Sequence, residues 1–180
     1  MAGIFAALGA FPGSWLGALL QQHIPQENIR LLMIVAIPLV AVVVLRKKDM
    51  NGRCLVSDAF YRPMAFAIGL FIGFYDGLIG PGTGTFLILL FTMTLGMEAV
   101  MASGTAKIVN LTSNVAALAS YLANGADNIL FALAIPAAIC GMIGNYIGAS
   151  LTVKKGVGFI RYMLLAVLVL LLAKMVMDVL

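Results

Sequence analysis

The chain predicts an all-α polytopic membrane protein of about six membrane segments, one broken at a Gly/Pro-rich motif, with an internal duplication whose first repeat is incomplete. Three observations predict it. Of the 180 residues, 63% are hydrophobic and 10% charged, and the mean hydropathy of +1.10 lies far outside the soluble globular range. Apolar runs long enough to cross a bilayer recur at 2–20, 28–45, 64–95, 99–122, 129–151 and 158–179. Moved against itself by 131 residues, the chain aligns 1–48 with 132–179 without a gap and with ten identities.

That alignment sets the domain organisation. Ile4 meets Ile135, Leu20 meets Leu151, Ile29 and Arg30 meet Ile160 and Arg161, and the pair Gly13/Gly17 falls on Gly144/Gly148. Two Gly-xxx-Gly pairs in register are harder to obtain by chance than matches among aliphatic residues. Residues 1–48 therefore read as the last two spans of an incomplete first repeat, 49–61 as a basic cytoplasmic loop, and 62–180 as a complete second repeat. Counterparts of 62–131 would need about 70 residues ahead of Met1. The first segment lacks a basic n-region and runs on into a second span, so it reads as a span and not as a cleaved signal.

Basic residues cluster between the spans. Arg46, Lys47, Lys48, Arg53 and Arg62 occupy one loop, and Lys154 and Lys155 another after the fifth segment; both loops are expected on the cytoplasmic side. The loop 123–128 carries Asp127 and no Lys or Arg, so it reads as outside. The formal charge of +4 is thereby absorbed by topology, and a nucleic-acid partner is excluded. Cys54 and Cys140 have no ligand spacing and read as free thiols.

The third segment is the unusual one. As a straight helix, 64–95 would measure about 48 Å against a hydrocarbon core of about 30 Å. Its centre reads Gly73-Phe-Tyr-Asp-Gly-Leu-Ile-Gly-Pro-Gly-Thr-Gly-Thr85. Gly and Pro here should not continue an ordinary helix, so backbone amides and carbonyls come free at membrane depth, where they must line a cavity or be buried in protein. Two geometries fit: a pair of half-helices entering and leaving on one side, which satisfies the loop charges and makes the repeats inverted, or a single tilted crossing with parallel repeats. Pro81 fits the first turn of a second half-helix, whose positive end Gly82, Thr83, Gly84 and Thr85 would present to an oxyanion. No Gly-Lys-Ser/Thr follows, so this is not a nucleotide-binding loop. Gly13/Gly17, Gly69/Gly73 and Gly144/Gly148 read as close-packing devices.

In the fourth segment Ser103, Lys107, Asn110 and Asn114 share one helical face. A span with a polar stripe lines something. Lys107 near mid-span needs a partner or water, and Asp76 in the glycine break is the natural one. Asn145 and its repeat counterpart Ser14 are placed to meet at a pseudo-twofold axis and bond across helices. Enzyme chemistry finds no support: the lone His23 lies at a span edge without an acidic pair, no nucleophile sits beside a base, and no metal-ligand or cofactor motif occurs.

The blocks Gly73 to Thr85, Gly104-Thr-Ala-Lys-Ile-Val-Asn110 and Ser113-Asn114 together resemble the second-half signature of the sulfite exporter TauE/SafE family. The resemblance covers nearly the whole chain and implies a bacterial inner-membrane, multi-pass permease of about eight spans built by duplication, exporting or importing sulfite, sulfonates or related organosulfur anions. It also implies that the glycine-rich motif of the first half is missing from this chain.

The function expected is therefore secondary transport of a small anion, with Gly82, Thr83, Gly84, Thr85, Lys107, Asn110 and Asn114 binding it. Asp76 would carry a coupling proton, with substrate competing for Lys107. The alternative is a non-transporting assembly subunit, or a truncated permease that needs a partner half. Expected partners are the lipid bilayer, the anion, and either a second copy or a missing N-terminal half. No cofactor or metal is expected.

Overall fold

The computed structural model describes residues 2–25, 27–29, 31–34, 38, 56–125 and 130–179. Among them all regular structure is helical: α1 (Ala2–Gln21), α2 (Asp58–Leu78), α3 (Thr83–Thr94), α4 (Ala99–Ala123) and α5 (Phe131–Val179). Residues 27–29 and 31–34 are also helical. The remainder of the expected span 28–45, most of the basic loop with Cys54, and Asp127 lie outside the described residues.

The helices are built inside out relative to a protein in water. α1 buries Ala2, Ala6, Gly9, Ala10, Gly13, Ser14, Gly17 and Ala18, while Ile4, Leu8, Phe11, Leu16 and Leu20 face outward. Lipid tails are as apolar as leucine, so large side chains gain little by leaving them and association comes from close packing of small residues. Ala2–Gln21 and Phe131–Leu151 are each long and apolar enough to cross a membrane.

Glycine sets how closely α1 and α2 approach. A Cβ at Gly9, Gly13 or Gly17 would overlap the carbonyl oxygen of Phe66, Leu70 or Phe74, and one at Gly69, Gly73 or Gly77 would overlap that of Ala6, Ala10 or Ser14. Both stripes repeat every four residues, which keeps them on one face of each helix. The packing role read for Gly13/Gly17 and Gly69/Gly73 is thus met, with Gly9 and Gly77 extending it.

The same contacts fix helix direction. Gly9, Gly13 and Gly17 meet successively later residues of α2, so α1 and α2 are parallel. Gly3 lies beside Thr105, Ser14 bonds the carbonyl of Ser113, and Gln21 bonds Tyr121, so α4 is parallel to α1 as well. Between two parallel helices α3 has to run back. At 12 residues it is about 18 Å long, too short to cross a core of about 30 Å. The third segment is therefore a hairpin of two unequal helices. One apolar cluster ties them near its mouth, joining Ala65 and Ile68 of α2, Leu87, Phe91 and Leu95, and Ala102 and Ala106 of α4.

Left-handed glycines make the turn. Gly80 and Gly82 have φ of 86° and 88°, values that would strain any residue with a Cβ, and Pro81 stands between them. Gly82 is the N-cap of α3, which places Pro81 just outside the helix and not in its first turn as the sequence suggested. The cause is the αL conformation at Gly82, which cannot belong to a right-handed helix.

A second difference concerns α5, where two spans with a charged loop at 152–157 were expected. The helix continues from Phe131 to Val179. Thr-Val-Lys-Lys-Gly-Val contains no proline, and lysine is a good helix former, so local propensity does not stop the helix even though its charges punctuate the hydropathy. Phe131–Leu151 is exposed along almost all its length, and Gly141, Gly144 and Gly148 face open space. The packing expected of Gly144/Gly148 is not made among the described residues.

These glycines should respond differently to a methyl group. Gly13→Ala is expected to cost about 1–3 kcal/mol by forcing α1 from α2. Gly148→Ala should be neutral or stabilising by up to about 1 kcal/mol. Thermal unfolding of the purified chain in detergent checks both.

Candidate functional site

The turn satisfies its own backbone. Tyr75 donates its hydroxyl to the Pro81 carbonyl at 2.8 Å, and its ring meets Phe86 edge to face at 5.3 Å, clamping the end of α2 to the start of α3. Thr83 Oγ1 lies 2.6 Å from the Gly80 carbonyl and 2.7 Å from Asp76 Oδ1. From α4, Ser113 Oγ bonds Asp76 Oδ2 and lies 3.1 Å from the Asn110 carbonyl. From α1, Ser14 donates to the Ser113 carbonyl at 2.7 Å. Asp76 therefore sits where four helices meet.

Counting hydrogens shows what this arrangement can do. Thr83 and Ser113 each carry one hydroxyl hydrogen, yet together they face four acceptors: both Asp76 oxygens and the carbonyls of Gly80 and Asn110. A proton on the Asp76 carboxyl supplies a third hydrogen. The Gly80 and Asn110 carbonyls also accept N–H donors, from the Thr83 backbone and the Asn114 side chain.

Lys107 is elsewhere, and its expected pairing with Asp76 is not what forms. Its Nζ reaches Asn145 Oδ1 of α5 at 3.3 Å. Lys107 and Ser113 are separated by about 120° around α4, so turning Ser113 to the hairpin turns Lys107 away from it. Asn145 and Ser14 likewise do not bond each other; each bonds α4 from its own side.

Between α4 and α5 lies a cavity of about 400 Å³ lined by Lys107, Asn110, Leu111, Asn114, Asn145 and Ala149. One ammonium and three amides converge there. Asn114 Nδ2 donates to the Asn110 carbonyl at 2.6 Å, and Asn110 Oδ1 is buried without a hydrogen-bond partner among the described residues. Three of the seven residues read as anion-binding, Lys107, Asn110 and Asn114, thus line one space. Gly82, Thr83, Gly84 and Thr85 do not line it. Thr83 and Thr85 are buried, Thr83 being turned toward Asp76, and Gly84 alone approaches, packing beside the Asn110 amide.

Sequence reasoning missed Ser113 as the partner of Asp76 and Asn145 as the partner of Lys107. The helical wheel carried a signal for the first: Ser113 lies with Ala102, Ala106, Val109, Ala116 and Ser120 on the small-residue face of α4 that packs inward. Nothing in the sequence reported which face of α5 would meet α4.

A broken helix packed on glycine stripes, carrying a half-buried carboxyl, beside a polar cavity on a neighbouring helix, is the architecture of a membrane transporter. Comparison with known proteins places it further. The profile described as Sulfite exporter TauE/SafE matches residues 2–175, and the chain belongs to that family. A probable membrane transporter protein of Haemophilus influenzae is 32% identical over 174 residues, covering 97% of this chain and 68% of that protein. The probable membrane transporter protein YfcA of Escherichia coli K12 is 28% identical over 168 residues, covering 93% of this chain and 62% of its own length. The probable membrane transporter protein ORF9 of a Sinorhizobium species is 29% identical, with 96% and 65% covered. The chain thus spans about two thirds of the length of these relatives. No solved structure matches it.

Ser113→Ala should lower stability by about 1–2 kcal/mol, because it takes a donor from a half-buried carboxyl oxygen. Asn114→Ala, on the exposed side of the same helix, should change it by less than about 0.5 kcal/mol. Denaturant titration in detergent separates the two.

Proposed function

We propose that the chain is the anion-binding part of a multi-pass secondary transporter of the bacterial inner membrane, moving sulfite, a sulfonate or a related organosulfur anion, with Asp76 carrying a coupling proton. The observation that carries this reading is the cavity in which Lys107 and the amides of Asn110, Asn114 and Asn145 converge. Lys107 lies about 12 Å along α4 from its start, within membrane depth, where a cation is costly and is kept for a purpose. Amides and an ammonium donate to an oxyanion without adding negative charge. Gly84 brings the positive end of α3 behind Asn110, so the run Gly82 to Thr85 adds its dipole to the same anion.

Asp76 and Lys107 face different sides of α4, so direct competition between proton and substrate for Lys107 is replaced by coupling through the helix itself. A proton leaving Asp76 removes one hydrogen from the network that Ser113 shares between α2 and α4, which changes how firmly α4 is held.

A second reading is favoured by the open glycines of α5. Gly13 and Gly17 are closed by α2, whereas their repeat counterparts Gly144 and Gly148 meet nothing among the described residues. An assembly subunit, or a permease completed by a partner half or a second copy, would cover that face. In such a protein Lys107→Ala would weaken assembly and leave anion binding untouched.

Thermal stability of the purified chain across sulfite, sulfate, thiosulfate, taurine and sulfoacetate tests the first reading. One anion at about a hundredfold excess over its Kd should stabilise the chain by about 2.7 kcal/mol, and Lys107→Ala should abolish the effect. In proteoliposomes Asp76→Asn should leave anion flux that no longer responds to a proton gradient. Unchanged proton dependence in that variant removes Asp76 from coupling.

A further inference from the structure

Lys107 is held by a neutral group, and that choice has a chemical meaning. An ammonium donates three hydrogens and accepts none, so the atom facing it at 3.3 Å has to be the carbonyl oxygen of the Asn145 amide. One hydrogen is used, two remain, and the positive charge is undiminished. The Asn145 Nδ2 group then has two further donors on the wall of the same cavity. A carboxylate at this position would hold the lysine as well or better, but it would neutralise the charge and repel an anion.

The duplicated position supports a role peculiar to this side. Ser14 and Asn145 are repeat counterparts, and both bond α4. Ser14 is fully buried and bonds backbone, so it only packs; Asn145 faces an open cavity and bonds a charged side chain. The residue equivalent to a packing serine has been placed against the one cation of α4.

Resting on the anion reading of this cavity, we infer that Asn145 is its positioning and selectivity residue: it fixes the Lys107 ammonium without cancelling its charge and adds amide donors for an oxyanion. A residue that merely tethered α5 to α4 would behave differently under one substitution. Asn145→Asp keeps the tether, even strengthens it, and removes the free charge.

The test is binding of sulfite and of sulfate, measured by calorimetry on the full purified chain in detergent, for the wild type, Asn145→Asp, Asn145→Gln and Asn145→Ala. Binding is expected to fall about a hundredfold in Asn145→Asp while its melting temperature without anion is held or raised. Asn145→Gln should bind within about tenfold of the wild type and more tightly than Asn145→Ala. Equal binding by the wild type and Asn145→Asp overturns the inference and leaves the anion site standing. Absence of binding by the wild-type chain overturns the site and the inference together. If Asn145→Asp does not fold, the remaining pair decides, and Asn145→Gln binding no better than Asn145→Ala overturns it.

Discussion

In hydrocarbon, a backbone carbonyl released from a helix has no water to turn to, and the hairpin at 79–82 exists only because its free groups are supplied from within. Each hydrogen bond there recruits a different part of the chain. Tyr75 reaches across to Pro81, Thr83 reaches back to Gly80, and the carboxyl of Asp76 draws in Ser113. Ser113 in turn brings α4, and Ser14 brings α1. The hairpin is thus where the four helices are joined by polar contacts, while the glycine stripes of α1 and α2 give the close backbone approach that lets those short side chains reach. Lengthening either stripe by a methyl group would move the donors out of range of the turn.

A division of labour between the two sides of α4 follows from this. Its small-residue face is committed to the hairpin and to α1, with Ser113 as the polar contact. About 100° round the helix lies the polar stripe that opens on α5. The Asp76 carboxyl and the Lys107 ammonium are therefore separate in space and joined through one helix, an arrangement in which a shift of that helix would be felt on both sides.

Much of this was legible in the sequence, and the reasons are periodic ones. Glycines every four residues, a run too long for the bilayer with Gly-Pro-Gly at its centre, and polar residues at i, i+4, i+7 and i+11 each encode one face or one break. What periodicity does not encode is which face turns toward which neighbour. Lys107 and Asp76 were matched by charge and depth, but the rotation of α4 that buries its alanines and serines puts Ser113 at the carboxyl. The continuation of α5 through 152–157 was missed for a related reason: charge marks where a chain leaves the bilayer, but lysine does not of itself stop a helix. The role of Asn145 depends on contact between α4 and α5, which no local pattern announces.

The central claim is that the third apolar segment dips into the membrane and returns. With Cys54 and Cys140 replaced by serine, single cysteines at Ser57, Glu98 and Asn124 can be labelled with an impermeant maleimide in right-side-out and inside-out vesicles. Ser57→Cys and Glu98→Cys should react from the same face and Asn124→Cys from the opposite one. Labelling of positions 57 and 98 from opposite faces would contradict the hairpin, and with it the placing of Asp76 between α2, α3 and α4.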